Sequence, residues 1–282
     1  MTNDLMTSTR THPIGIFDSG YGGLTILKEI RKRLPQYDYI YLGDNARTPY
    51  GTRSFEVVYE YTLAAVKKLF EMDCELVILA CNTASAKALR SIQQIDLSQL
   101  GSNKRVLGVI RPSVEEVVEI TKNGHVGILG TNGTVSSESY VIELNKISDG
   151  QLSVVQEACP MWVPLVENNE IDTPGADYFV KKNIEQILAK DPQIDTLVLG
   201  CTHYPLLSAI IQKYLPENIA LVDQGPIVAK KLHDYLLRHP ELEERCSVNE
   251  SINYFTSEQS ANFNDKASLF LNEGIKARSI HF

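Results

Sequence analysis

Eight short apolar runs, separated by stretches of helix length, constrain this chain most. They are IGIF (14–17), YIYL (39–42), LVILA (76–80), VLGVI (106–110), VGIL (126–129), LSVV (152–155), LVLG (197–200) and IALV (219–222). Each is rich in β-branched or aromatic residues and is the size of a strand. Between them, helical periodicity predicts helices over 24–34, 55–72, 113–121 and 176–189. Alternation of this kind builds βαβ units around a mainly parallel sheet, so the predicted fold class is α/β. In such folds ligands gather where strand carboxyl ends lead into helices. The loops after the runs are therefore where chemistry is sought.

Those loops repeat. IGIFDSGYGG, with Asp18, matches VGILGTNGT, with Thr131. YIYLGD, with Asp44, matches VVQEACP, with Cys159, and LVILACNTAS, with Cys81, matches LVLGCTHYPLL, with Cys201. The offsets (18 to 131, 44 to 159, 81 to 201) are 113, 115 and 120 residues, in the same order. Chance likeness among apolar strands explains one match less well than three in register. A duplication predicts two similar lobes with Cys81 and Cys201 on opposite sides of one cleft. The tail, 241–282, is mixed and polar, with a predicted helix over 260–272, and is expected to pack on the first lobe.

Composition removes several classes of function. The 282 residues carry a net charge of −8, which argues against a general nucleic-acid or anionic-membrane surface. No apolar run approaches the ~18 residues of a membrane span, and the polar start MTNDLMTSTRTHP has no secretory core. Five cysteines, an odd number without dense spacing, read as free thiols in a reducing cytoplasm. There is no CxxC pair, and the Cys201/His203 spacing offers no second ligand pair, so no metal site is expected. Gly20-Tyr21-Gly22-Gly23 lacks the spacing of a dinucleotide fingerprint and has no Walker lysine.

A lone buried cysteine usually fills space. Here two occupy equivalent strand ends, Cys81 followed by Asn82 and Thr83, Cys201 by Thr202 and His203. Two thiols on opposite faces of a bound molecule suit inversion of a stereocentre. One removes a proton from carbon and the other returns a proton to the opposite face, without a cofactor. The charge that develops must be met by fixed donors, for which Asn82, Thr83, Thr202 and nearby backbone N–H groups are candidates.

The motifs Phe17-Asp18-Ser19-Gly20, Pro49-Tyr50-Gly51, Ala80-Cys81-Asn82-Thr83-Ala84-Ser85, Gly130-Thr131-Asn132-Gly133-Thr134, Val163-Pro164-Leu165-Val166-Glu167 and Gly200-Cys201-Thr202-His203-Tyr204-Pro205-Leu206-Leu207 cover most of the chain. They resemble those of the glutamate racemases, in the cofactor-independent aspartate/glutamate racemase superfamily. The resemblance implies two pseudo-symmetric α/β lobes with the active site in the cleft between them. It implies interconversion of L- and D-glutamate, with D-glutamate supplied to peptidoglycan synthesis. By that likeness Cys81 and Cys201 are the acid/base thiols, the first facing the α-hydrogen of D-glutamate and the second that of L-glutamate. Asp18 stands beside the first; His203, with Glu167 near it, beside the second. Asp18, Ser19, Tyr50, Gly51, Asn82, Thr83, Thr134, Thr202 and His203 match substrate-binding positions.

The expected lobes are 13–106 plus 222–282, and 107–221, with 1–12 a disordered extension. Besides glutamate, the partners this reading admits are a second copy of the chain and a cell-wall precursor activator. Other readings are an aspartate racemase or related isomerase, a cysteine-dependent amidohydrolase, and a two-lobed amino-acid-binding protein. Arg111 falls near the crossover between lobes, with no partner readable from sequence.

Overall fold

The structure, a computed structural model, describes residues 10–282. The eight expected runs are strands: β1 (Ile14–Asp18), β2 (Tyr39–Gly43), β3 (Leu76–Leu79), β4 (Arg105–Gly108), β5 (His125–Gly130), β6 (Ser153–Ala158), β7 (Thr196–Gly200) and β8 (Ala220–Val222). The tail adds β9 (Ile252–Thr256) and β10 (Ala277–Ser279). They form a six-stranded sheet in the order β10-β9-β2-β1-β3-β4 and a four-stranded sheet in the order β6-β5-β7-β8. Every pairing is parallel.

Without β9 and β10, the first sheet reads 2-1-3-4 and the second 6-5-7-8, the same topology twice. The sequence repeat is therefore a structural repeat. Strands β1, β2, β3 and β7 are buried along their whole length. That is the behaviour of parallel strands covered on both faces, and it explains why they read as unbroken apolar runs.

The helices begin where local chemistry lets them. Ser54 caps Phe55–Glu71 through the Val57 N–H, and Thr173 caps Pro174–Lys190 through the Ala176 N–H. Such caps each contribute about 1 kcal/mol. One expectation fails at an end: VLGVI is not all strand. β4 stops at Gly108, and a helix runs over Ile110–Ile120 instead of starting at 113. Pro112 falls in its first turn, where a missing N–H costs no helical bond.

That helix leads from the first sheet to the second, packing Ile110, Val114 and Val117 with Val126 and Ile128 of β5. After β8, the helix Gln224–Arg238 packs against Gly23–Arg33 and returns the chain to the first sheet. The expected tail helix is present at Ser260–Leu271.

Residues 1–9 of the expected disordered extension lie outside the described residues. Residues 10–12 are tied down, contrary to expectation. Arg10 makes a two-pronged pair with Glu243 at 3.0 Å, and His12 bridges to Cys246. Among the described residues, no helix is long and apolar enough to cross a membrane.

Candidate active site

The carboxyl ends of the two sheets face one cavity of about 340 Å3. The loops after β1, β2, β3, β5, β6 and β7 all contribute to its wall. Of the residues expected there, Ser19, Tyr50, Gly51, Cys81, Asn82, Thr83, Glu167, Cys201, Thr202 and His203 line it. Asp18 and Thr134 do not. Asp18 is 1% exposed behind the wall, and Thr134 is fully buried against Thr83 and Thr131.

The lobes meet closely on both sides of the cavity. A Cβ on Gly22 would fall 2.2 Å from Thr202 Oγ1 and 2.5 Å from His203 Nδ1, so only glycine admits this approach. On the other side the Gly133 N–H donates to the Gly51 carbonyl at 2.7 Å, and the Thr83 and Thr131 hydroxyls lie 2.9 Å apart. Thr25 Oγ1 donates across the seam to the Thr202 carbonyl at 3.0 Å.

Cys81 is the N-cap of the short helix Asn82–Lys87, and its Sγ accepts the Ala84 N–H at 3.5 Å. Its thiol reaches Ser19 Oγ at 3.4 Å. Burial first, then nearby Asp18, push the thiol up to about 12, against the opposing Ser19 hydroxyl and Ala84 N–H. Burial also raises the Asp18 carboxyl, while His203 and the backbone N–H groups of Gly20 and Gly23 lower it. Asp18 Oδ2 accepts the Gly20 N–H at 2.9 Å, and Oδ1 is buried without a hydrogen-bond partner among the described residues.

Cys201 has other company. Its Sγ lies 3.8 Å from His203 Nδ1, and His203 Nε2 lies 3.0 Å from Glu167 Oε1. Burial alone would lower the imidazole pKa. The bond to Cys201, then the bond to Glu167, outweigh burial and carry it up to about 10. Phe270 of the tail helix meets the imidazole edge-on at 5.5 Å. The arrangement is thiol, imidazole, carboxylate, in which Glu167 and Cys201 favour the protonated form of the imidazole between them.

Two expected ligands are tied to the protein. Tyr50 donates to Asp44 Oδ2 at 2.5 Å, so its phenol fixes the loop after β2. Asn82 bonds to Gln224 and Tyr140 in the seam. Sequence reasoning named no cavity role for Thr131, Asn132, Cys159, Pro160, Val163 and Pro164, which also line the wall. The repeat held the signal for two of them: Thr131 is the counterpart of Asp18, and Cys159 of Asp44.

Known proteins resemble the chain along most of its length. The family model of the Asp/Glu/Hydantoin racemases matches residues 24–232. A glutamate racemase of Geobacter metallireducens is 42% identical over 258 residues, covering 92% of each chain. A glutamate racemase isoform from Bacillus anthracis superposes with a TM-score of 0.87 at 34% identity, over 96% of this chain and 98% of that one. The Francisella tularensis glutamate racemase, solved in complex with D-glutamate, gives 0.85 at 28% identity over the same shares. On the extent of the family match and the identity to its curated members, the chain belongs to the Asp/Glu/Hydantoin racemase family.

Proposed function

We propose that this chain interconverts L- and D-glutamate, with Cys81 and Cys201 as paired acid and base. The observation that carries the reading is two buried thiols on the wall of one cavity, each on a different lobe. In the L-to-D direction the Cys201 thiolate takes the α-proton and becomes a thiol. The Cys81 thiol gives its proton to the opposite face and becomes a thiolate. The reverse direction starts from the opposite protonation state, and between turnovers in one direction Cys81 regains a proton from solvent and Cys201 gives one up to it, so protons balance over a cycle. His203, held by Glu167, supports the anion on Cys201. Burial keeps Cys81 protonated until it is needed. Thr83, Thr202 and backbone N–H groups at the start of the helix Asn82–Lys87 are suited to the substrate carboxylate and the charge growing beside it. Thr131, Val163 and Pro164 leave the remaining wall partly apolar, which suits the aliphatic part of a side chain.

The test is incubation with L-glutamate in D2O, followed by chiral separation and mass spectrometry. D-glutamate carrying one deuterium at Cα is expected. A covalent acyl intermediate with release of ammonia from an amide such as glutamine, tested in parallel, would favour a cysteine amidohydrolase instead. Turnover of aspartate above that of glutamate would favour the aspartate-specific reading.

The same reading places the enzyme in the cytoplasm, as a homodimer, supplying D-glutamate to peptidoglycan. It includes an anionic cell-wall precursor as activator. A groove of about 700 Å3 at the lobe crossover is suited to one, being lined by Lys87, Arg90, Arg111, Lys146, Lys231 and Arg238 against Glu115 and Glu143. Arg111 there pairs with Glu115 at 3.0 Å and with Glu143 at 3.2 Å. Light scattering reads the dimer. A rate unchanged by a nucleotide-sugar precursor at saturating glutamate removes the activator from the reading.

A further inference from the structure

Beneath Cys81 the seam between lobes holds a closed ring of hydrogen bonds. Asn82 Nδ2 donates to Gln224 Oε1 at 2.6 Å, Gln224 Nε2 donates to the Tyr140 hydroxyl at 2.6 Å, and that hydroxyl donates to Asn82 Oδ1 at 2.7 Å. Gln224 Nε2 also donates to Ser113 Oγ at 2.8 Å, and Ser113 passes the chain on to the Val109 carbonyl at 2.8 Å. Tyr140 and Ser113 are fully buried, and Asn82 and Gln224 are each 2% exposed. Each ring member gives one bond to the next and takes one from the last, an arrangement whose members polarise one another.

The ring and its Ser113 branch join four helices. Asn82 opens the helix that Cys81 caps, and Gln224 opens the helix that returns the chain to the first sheet. Tyr140 and Ser113 stand on the helices Ser139–Ile147 and Ile110–Ile120, which cover the second sheet. The residue next to Cys81 is thus bolted to the opposite lobe. No such ring supports Cys201 among the described residues. Its loop is held by His203 and by Tyr204, whose hydroxyl donates to the Cys159 carbonyl at 3.2 Å.

We propose that Tyr140 and Gln224 are positioning residues for Cys81: through Asn82 they set the thiol's height and angle toward the substrate α-carbon. The proposal rests on the two-thiol reading given above. Neither residue lines the cavity, so neither touches substrate. A misplacement of ~1 Å at a reacting group costs up to ~100-fold in rate. Losing the ring should therefore act on proton transfer at Cys81 and leave transfer at Cys201 and substrate binding nearly as they are.

The variants are Tyr140→Phe, which deletes one oxygen, and Gln224→Met, which keeps shape and deletes both polar atoms of the amide. Each is checked for folding by circular dichroism; either one, if folded, suffices. The expected result is a kcat lowered about 10-fold to 100-fold with KM within about 2-fold. The diagnostic readout is the primary isotope effect on kcat/KM. With Cα-deuterated D-glutamate, whose deuteron Cys81 removes, it should rise above the parent value. With Cα-deuterated L-glutamate it should fall, because the transfer at Cys81 then limits the rate. Parent-like kcat in a folded variant overturns the proposal. So does an equal loss in rate with both isotope effects unchanged, which marks only a smaller active fraction. Misfolding of both variants also overturns it, since the ring would then serve stability and not Cys81. A parent enzyme that exchanges no α-proton of glutamate sinks the two-thiol reading itself, before any variant is compared.

Discussion

The two thiol loops occupy the same place in two copies of one topology, yet they are built differently. After β3, Cys81 caps a regular helix and meets a hydroxyl and a backbone N–H, with a buried carboxylate behind it. After β7, Cys201 is followed by a turn and the short 3-10 segment Tyr204–Leu207, and its partner is an imidazole braced by Glu167. Burial and Asp18 hold the first as a thiol, while the second lies beside an imidazole whose pKa is carried up to about 10. The two equivalent positions thus carry different neighbours, and under the proposed mechanism that difference would separate the acid from the base.

The largest effect that tests this contrast is loss of either thiol. Cys81→Ala and Cys201→Ala should each lower racemisation in both directions by at least about 1,000-fold, because inversion needs both faces. The comparison sharpens in D2O. Cys81→Ala is expected to retain slow exchange into L-glutamate, and Cys201→Ala into D-glutamate, each without inversion. Chiral mass spectrometry reads both. A folded alanine variant that racemises at near the parent rate removes that cysteine from the chemistry.

Glu167→Gln is the next step down. It deletes the second support of the His203 cation and leaves the bond to Cys201. The L-to-D rate should fall about 10-fold to 100-fold, and its alkaline limb should move to lower pH. The sign follows from linkage. The folded pKa of His203, about 10, is raised above the unfolded value of about 6.5, so its contribution to stability is full below the unfolded value and is lost as pH rises through the folded one. The parent protein should therefore lose stability in urea between about pH 6.5 and 10, and the variant should lose less over that window. Equal slopes for parent and variant would show that Glu167 does not support the cation.

Much of this was legible in the sequence, for reasons tied to particular residues. All eight runs hold strands, and the clearest, such as IGIF and LVLG, are those whose burial on both faces leaves an unbroken apolar run. β9, INYFT, was missed because Asn253 interrupts it and only Tyr254 and Thr256 are buried, so it shows no unbroken apolar run, and because its partner β2 lies about two hundred residues away. β10 offers only three residues, none large and apolar. The thiols were legible as a repeated pattern, whereas the side-chain pairings were not. Nothing local to Asn82 tells that its amide meets Tyr140 and Gln224, or that Tyr50 serves Asp44. Arg111, unreadable from sequence, pairs with Glu115 and Glu143.

The smallest effect concerns a neutral contact in the comparison, Cys81 Sγ to Ser19 Oγ at 3.4 Å. The Ser19 hydroxyl lowers the Cys81 pKa, opposing burial and Asp18. Ser19→Ala removes that opposition, so the thiol should become harder to ionise. The first step of the D-to-L direction, which begins from the Cys81 thiolate, suffers directly. In the L-to-D direction a less acidic thiol is a poorer proton donor to the carbanion, though a more basic thiolate is the product. A bond of this length is worth about 1 kcal/mol or less, so the expected change is at most about 5-fold. The equilibrium ratio of the two glutamates is fixed by the substrates, so kcat/KM must change equally in both directions. The asymmetry must therefore appear in the pH profiles of kcat alone: the acid limb of kcat with D-glutamate should move to higher pH, and that with L-glutamate should stay in place. If both limbs move together, Ser19 acts on the cavity as a whole and the two thiols are less independent than their surroundings suggest.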